Sequence, residues 1–112
     1  MALWDFDAPI EPDTERDTSG TAIAASALLK LAPLVPGRAE RYHRAAEEMV
    51  DAMVARHLTP VAADDERPPG ILSDGCYNHR IGLATRSELI WGDYFLFESL
   101  LALEGRVDPT AI

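Results

Sequence analysis

The chain has 112 residues, enough for one domain with a modest core. Its formal net charge of −9 repels phosphate backbones and anionic lipid headgroups, so neither nucleic acid nor a membrane is an expected partner. The single cysteine, Cys76, rules out an internal disulfide, and the N-terminal residues lack the pattern of a signal peptide. These features predict a cytoplasmic protein.

The first 17 residues are rich in Asp, Glu and Pro and are predicted to form a loop or arm. Asp5 and Asp7 lie two residues apart, so in an extended segment both carboxylates can point to one face as an acid and base pair. The alternative role, capping of nearby backbone amides, is more typical of aspartate in loops. Trp4 needs a packing partner or a ligand, such as the face of a sugar.

An alanine-rich run predicts the first helix, from Thr21 to Ala32, with its end before Pro33. Thr18 and Ser19 offer capping hydroxyls, and Asp17 is placed to accept hydrogen bonds from the free amides of the first turn. This helix is apolar almost all round, which is typical of a helix buried on several sides.

The second helix is predicted from Arg38 to His57, because apolar residues there recur on one face while the other face carries mixed charges. His43 lies four residues before Glu47, which indicates a surface pair. His57 falls near the helix C-terminus, where a cation is mildly favoured. The Pro-rich and acidic stretch 59–70 is predicted to be a loop.

Residues 71–87 contain glycines and polar groups, which indicate an irregular loop that could line a site. The third helix is predicted from Glu88 to Glu104 and is too apolar to face solvent on most sides. Its aromatic residues are interpreted mainly as core, with a sugar-stacking platform as the alternative: Trp91, Tyr94, Phe95 and Phe97.

Two of the three helices thus require burial on more than one face, while only one amphipathic helix is available to cover them. The chain is therefore expected either to self-associate or to form part of a larger helical array.

Strong catalytic motifs, such as a phosphate-binding loop or a nucleophile elbow, are absent from the sequence. Cys76 and His79 are three residues apart and could share a metal ion, but no second pair completes a tetrahedral set, so no metal site is predicted. His79, Arg80 and Arg86 form the one basic group in a Gly-rich segment, which could bind an anion.

Three segments, taken in order, resemble the end of the unsaturated glucuronyl hydrolases, glycoside hydrolase family 88. They are Trp4–Pro9, Arg16–Ala25 and Ile90–Phe95, the last followed by Glu98. The resemblance runs from Trp4 to about Leu103. It implies that residues 1–112 are the C-terminal part of a single domain and that Met1 is an internal start.

The resemblance implies an all-α fold in which these helices are the last of an (α/α)6 barrel, incomplete in this chain. It also implies hydration of the double bond of a 4,5-unsaturated uronic acid at the non-reducing end of oligosaccharides made by polysaccharide lyases. The hydrated sugar opens and the glycosidic bond is lost. No metal or organic cofactor is implied.

The two catalytic aspartates of the family lie upstream of these motifs, so no catalytic residue is assigned here and the isolated chain is expected to be inactive. The loop before the last helix is implied to contact substrate, and Trp4 is added as a stacking candidate. The predicted substrate-binding residues are Trp4, Tyr77, Asn78, His79 and Arg80. Asn78 stands where relatives acting on sulfated sugars have Ser, so a sulfated substrate is not predicted.

The competing hypothesis is a small non-catalytic helical protein that self-associates or binds a partner through the apolar faces that its own helices do not cover.

Overall fold

A computed structural model describes residues 1–66 and 70–111. It contains three α-helices, α1 (Thr18–Leu34), α2 (Ala39–Arg56) and α3 (Ile90–Leu103). Short 3-10 turns lie at Pro36–Arg38 and His79–Ile81. The extended segments within the described ranges form only isolated bridges, so the all-α prediction is confirmed.

The predicted loop 59–70 contains no helix in its described part, residues 59–66 and 70. Its Pro68–Pro69 pair lies outside the described residues.

Helix α1 begins after Asp17, whose side chain accepts a hydrogen bond from the backbone N–H of Ser19. Both predicted ends of this helix are wrong, because α1 begins at Thr18 and not at Thr21, and it continues past Pro33 to Leu34. Pro33 lies in the last turn, where its missing N–H removes only one helical hydrogen bond. The backbone N–H of Val35 still donates to the carbonyl of Leu31 at 3.0 Å, and this bond completes the turn.

The core forms where α1 packs against both other helices, while α2 and α3 touch each other little. Alanines on α1 allow the neighbouring backbones to approach closely. The buried core residues are Ala22, Ala25 and Leu29 from α1, Ala46, Val50 and Met53 from α2, Leu72 from the loop, and Leu96 from α3. Helix α1 is therefore the central element, and the two others cover different parts of its surface.

Helix α3 is covered mainly on the side that faces α1, so much of its apolar surface remains open. Ile90 is 79% exposed, and Tyr94 and Phe97 are more than half exposed. The interpretation of the aromatic group as core is wrong for Trp91, Tyr94 and Phe97, and only Phe95 packs against the core. The described helices therefore leave apolar surface uncovered, as the sequence predicts.

Among the residues described, no helix combines the length and apolar character that crossing a membrane requires.

Candidate functional site

The arm 1–16 and the loop 70–89 meet at the N-terminal end of α1. The arm folds back on itself through a bridge between Leu3 and Arg16, and the backbone N–H of Trp4 donates to the carbonyl of Glu15 at 3.1 Å. The loop forms two further bridges, from Gly75 to Ser87 and from Asn78 to Leu83. These pairings fold the arm and the loop each back on itself.

Asp17 connects α1 to this loop. Its Oδ1 atom accepts from the Ser19 hydroxyl at 2.6 Å, the Ser19 backbone N–H at 3.1 Å and the Cys76 backbone N–H at 3.2 Å. The capping role predicted for Asp17 is confirmed, and the same atom also fixes the position of the loop.

Asp5 likewise acts on the backbone, because its Oδ1 accepts from the N–H of Asp7 at 2.9 Å. This contact is the amide-capping alternative, so the geometry does not favour an acid and base pair at these two positions.

The indole of Trp4 stacks on the imidazole of His79, with ring centroids 4.0 Å apart and an interplanar angle of 20°. On the same imidazole, Nδ1 lies 2.6 Å from Oε2 of Glu15. The other oxygen of Glu15 lies 3.7 Å from Nε of Arg86. Trp4, Glu15, His79 and Arg86 are called the His79 cluster below.

The pKa of the Glu15 carboxyl is lowered, chiefly by its hydrogen bond to His79. Burial opposes this shift and is the second-largest effect, while a hydrogen bond from Thr85 and the positive charges of His79 and Arg86 add to the lowering. Neighbouring hydrogen-bond donors and positive charges thus stabilise the ionised form of Glu15.

An open cleft of about 370 Å³ lies beside the His79 cluster and is lined by all four of its members. The cleft presents an aromatic face that can stack on a sugar ring, and an imidazole and a guanidinium that can bind an anionic substituent. The carboxylates of Glu11 and Asp13 also line it, so its charge is mixed.

The remaining predicted site residues lie apart from this contact. Tyr77 is 59% exposed and its ring tilts toward Trp91, with centroids 5.9 Å apart. Asn78 pairs with Leu83 through its backbone. Arg80 is exposed and forms no ion pair with another described residue. Of the five predicted residues, the structure therefore brings Trp4 and His79 into direct contact.

Sequence reasoning missed Glu15, which links the imidazole to Arg86. Glu15 lies in an acidic arm in which several carboxylates look alike. The bridge between Leu3 and Arg16, which turns Glu15 toward the loop, leaves no local signal in the sequence.

His43 and His57 have the structural roles expected of them. Nδ1 of His43 lies 3.5 Å from Glu47 on the outer surface of α2. Nδ1 of His57 lies 2.8 Å from Oδ2 of Asp74, which ties the end of α2 to the loop.

Glu98 is a buried carboxylate on α3, only 6% exposed. The Ser26 hydroxyl donates to it, Nζ of Lys30 lies 3.1 Å away, and the Tyr94 hydroxyl donates at 3.2 Å. Burial by itself would raise the pKa of Glu98, but the hydrogen bonds from Ser26 and Lys30 outweigh it and lower the pKa. Glu98 therefore links α3 to α1 as an ionised, fully partnered group.

One group of potential metal ligands occurs in the described part of the chain. Donor atoms of Glu15, Cys76 and His79 all lie within 4.8 Å of one another. Burial and the nearby carboxylates of Glu15 and Asp17 raise the pKa of the Cys76 thiol.

The chain is 37% identical over 108 residues to the unsaturated glucuronyl hydrolase of Bacillus sp. strain GL1, covering 93% of this chain and 28% of that protein. It is 30% identical over 106 residues to the unsaturated chondroitin disaccharide hydrolase of Streptococcus pneumoniae, covering 90% of this chain and 26% of that one. The resemblance to unsaturated glucuronyl hydrolase is confirmed. No family model matches the chain.

A solved structure of unsaturated glucuronyl hydrolase with the oligosaccharide dGlcA-Glc-Rha-Glc superimposes with a TM-score of 0.82 and 35% identity. The superposition covers 92% of this chain and 27% of that one. The three helices thus match part of the (α/α)6 barrel of unsaturated glucuronyl hydrolase. The chain spans little more than a quarter of the length of these relatives.

Proposed function

We propose that residues 1–112 form the C-terminal part of a cytoplasmic family 88 glycoside hydrolase domain. This enzyme would remove 4,5-unsaturated uronic acid from the non-reducing end of oligosaccharides by hydrating the double bond. The observation that carries the proposal is the 37% identity to an unsaturated glucuronyl hydrolase over 93% of the chain.

In this proposal the chain supplies substrate contacts and the catalytic aspartates lie outside it. The Asp5 and Asp17 carboxylates are occupied by backbone amides, and Glu15 is occupied by His79, which supports the absence of an acid and base pair among them. The His79 cluster supplies the substrate contacts, with Trp4 against a sugar face and His79 near an anionic group. Tyr77, Asn78 and Arg80 extend the surface along the loop.

The test is a chimera in which this chain replaces the matching segment of the Bacillus sp. GL1 enzyme. Loss of the ultraviolet absorbance of the conjugated double bond reports turnover of an unsaturated uronyl disaccharide. We expect turnover by the chimera and none by the isolated chain. Replacing Trp4 with Ala or His79 with Asn in the chimera should raise KM, whereas His43→Asn on the outer surface of α2 should not.

Two outcomes would overturn the proposal. Turnover by the isolated chain would place the catalytic carboxylates within these 112 residues. A chimera that folds cooperatively but shows no turnover would mean that this chain does not fulfil the role of the segment it replaced.

The second candidate function is self-association without catalysis, which the exposed Ile90, Tyr94 and Phe97 favour. Analytical ultracentrifugation of the isolated chain separates the two functions. A discrete, stable oligomer would support self-association, whereas a loosely packed monomer or aggregation would support a role as part of a larger helical domain.

A further inference from the structure

The loop and the arm bring three different donor types together. Glu15 comes from the arm, Cys76 from the loop and His79 from the 3-10 turn that follows, and their donor atoms lie within 4.8 Å of one another. Cys76 and His79 alone do not complete a ligand set, and the third donor comes from a residue 64 positions away from His79.

The three residues are held by contacts outside the donor atoms themselves. The backbone N–H of Cys76 donates to Asp17, and the His79 ring stacks on Trp4. The backbone carbonyl of Glu15 accepts from Trp4. Such supporting contacts orient metal ligands in known sites. The three side chains are therefore partly ordered before an ion binds, which reduces the entropy lost on binding.

The donor set selects the class of ion. A thiolate and an imidazole favour a borderline-soft ion such as Zn²⁺ and disfavour Mg²⁺ and Ca²⁺, which prefer oxygen ligands. Three protein ligands with a fourth position open to solvent is also an established arrangement for Zn²⁺. The net charge of −9 attracts cations to the chain as a whole.

We propose that Glu15, Cys76 and His79 form a binding site for Zn²⁺ or a similar borderline-soft divalent cation. On binding, the S–H bond of Cys76 breaks, an Sγ–metal bond forms, and the proton passes to solvent. His79 coordinates as a neutral imidazole: if Nδ1 is the ligand atom, its proton leaves for solvent while Nε2 takes one up, so the ring loses no net proton.

Small movements complete the site. With zinc bond lengths of about 2.0–2.3 Å, tetrahedral ligand atoms lie roughly 3.3–3.8 Å apart, so no separation has to close by more than about 1.5 Å. The contact between His79 Nδ1 and Glu15 Oε2, now 2.6 Å, opens by less than that if both atoms are ligands. The inference does not depend on the glycosidase proposal, because its readout requires no sugar.

The test is titration of the reduced full chain with Co²⁺, a spectroscopic substitute for Zn²⁺, followed by displacement with Zn²⁺. We expect one Co²⁺ per chain, a thiolate-to-cobalt charge-transfer band in the near ultraviolet, and visible bands of tetrahedral intensity. Excess Mg²⁺ should leave these bands unchanged, and Zn²⁺ should remove them.

Three variants define the ligand set, and each is checked by circular dichroism for retained helix content. Cys76→Ser should abolish the charge-transfer band. Glu15→Gln and His79→Asn should each weaken Co²⁺ binding by about tenfold or more. Loss of a residue that only supports a metal ligand costs about tenfold, and these two residues are ligands themselves. His43→Asn is the matched control and should bind Co²⁺ as the original chain does.

The proposal would be overturned if no charge-transfer band appears. It would equally be overturned if the band persists with unchanged Co²⁺ affinity in both Glu15→Gln and His79→Asn. Cys76 would then bind the ion without help from Glu15 or His79.

Discussion

Gly92 of α3 lies so close to Ser19 of α1 that a Cβ atom added at position 92 would be 3.2 Å from the Ser19 Cβ and 3.3 Å from its Cα. The two helices therefore meet at a residue without a side chain. Gly92 lies within the segment Ile90–Phe95 that resembles family 88, and this contact gives a physical reason for a glycine there.

Replacing Gly92 with Ala should destabilise the chain. We expect the free energy of unfolding to fall by about 1 kcal/mol, because overpacking costs about 1–3 kcal/mol and the better helix propensity of Ala returns about 1 kcal/mol. Urea unfolding followed by circular dichroism measures the change. Gly37→Ala is the control, since no atom lies within 4 Å of its added Cβ. Equal stability of the two variants would refute the close-packing argument.

Glu98→Gln should lower the stability of the helix pair at neutral pH by about 2 kcal/mol, because Lys30 and Ser26 lose a charged acceptor. The lowered pKa of Glu98 gives the pH dependence. Its carboxylate contributes stability above the ordinary carboxyl pKa, and this contribution is lost as pH falls through the lower pKa of the folded state.

Urea unfolding at a series of pH values tests both points. The original chain should lose stability on acidification more steeply than Glu98→Gln, and the two curves should converge at low pH. Glu48→Gln, on the exposed face of α2, is the control and should follow the original chain. Parallel curves for the original chain and Glu98→Gln would contradict the prediction.

Asp17→Ala should remove the cap of α1 and release the loop at Cys76. We expect a loss of about 1–2 kcal/mol of unfolding free energy, the usual cost of deleting an aspartate cap. Hydrogen exchange measured by NMR should show reduced protection of the Cys76 amide in particular. Asp51→Ala on the surface of α2 should change neither quantity, and unchanged Cys76 protection in Asp17→Ala would show that the cap does not hold the loop.

The carboxyl of Glu15 should titrate below the ordinary range of a glutamate because His79 donates to its carboxylate. A carbon-detected NMR titration of the carboxyl signal measures this pKa. His79→Asn should raise the pKa toward the ordinary value, whereas His43→Asn should leave it unchanged. If His79→Asn has no effect, the contact at 2.6 Å does not persist in solution.

The sequence by itself located the three helices. Helix α2 was predicted within one residue at each end, because its apolar spacing and mixed-charge face depend only on local order. The order of three short segments was also enough to recognise the resemblance to unsaturated glucuronyl hydrolases.

Other helix ends differed from the prediction. Helix α3 begins at Ile90 and not at Glu88, since Ser87 pairs with Gly75 and Glu88 accepts from the Thr59 hydroxyl at 2.5 Å. Helix α1 passes Pro33, since one missing hydrogen bond in a last turn does not end a helix that is otherwise well packed.

Only the tertiary structure decided which residues share the candidate site. The sequence placed Trp4 in an isolated arm and His79 in a separate loop, and it gave Glu15 no distinguishing feature. Contacts between segments more than 60 residues apart depend on how the arm and the loop close over the end of α1, which local residue order does not encode. The His79 cluster therefore emerges from the packing of the chain, whereas the helices that support it follow from its sequence.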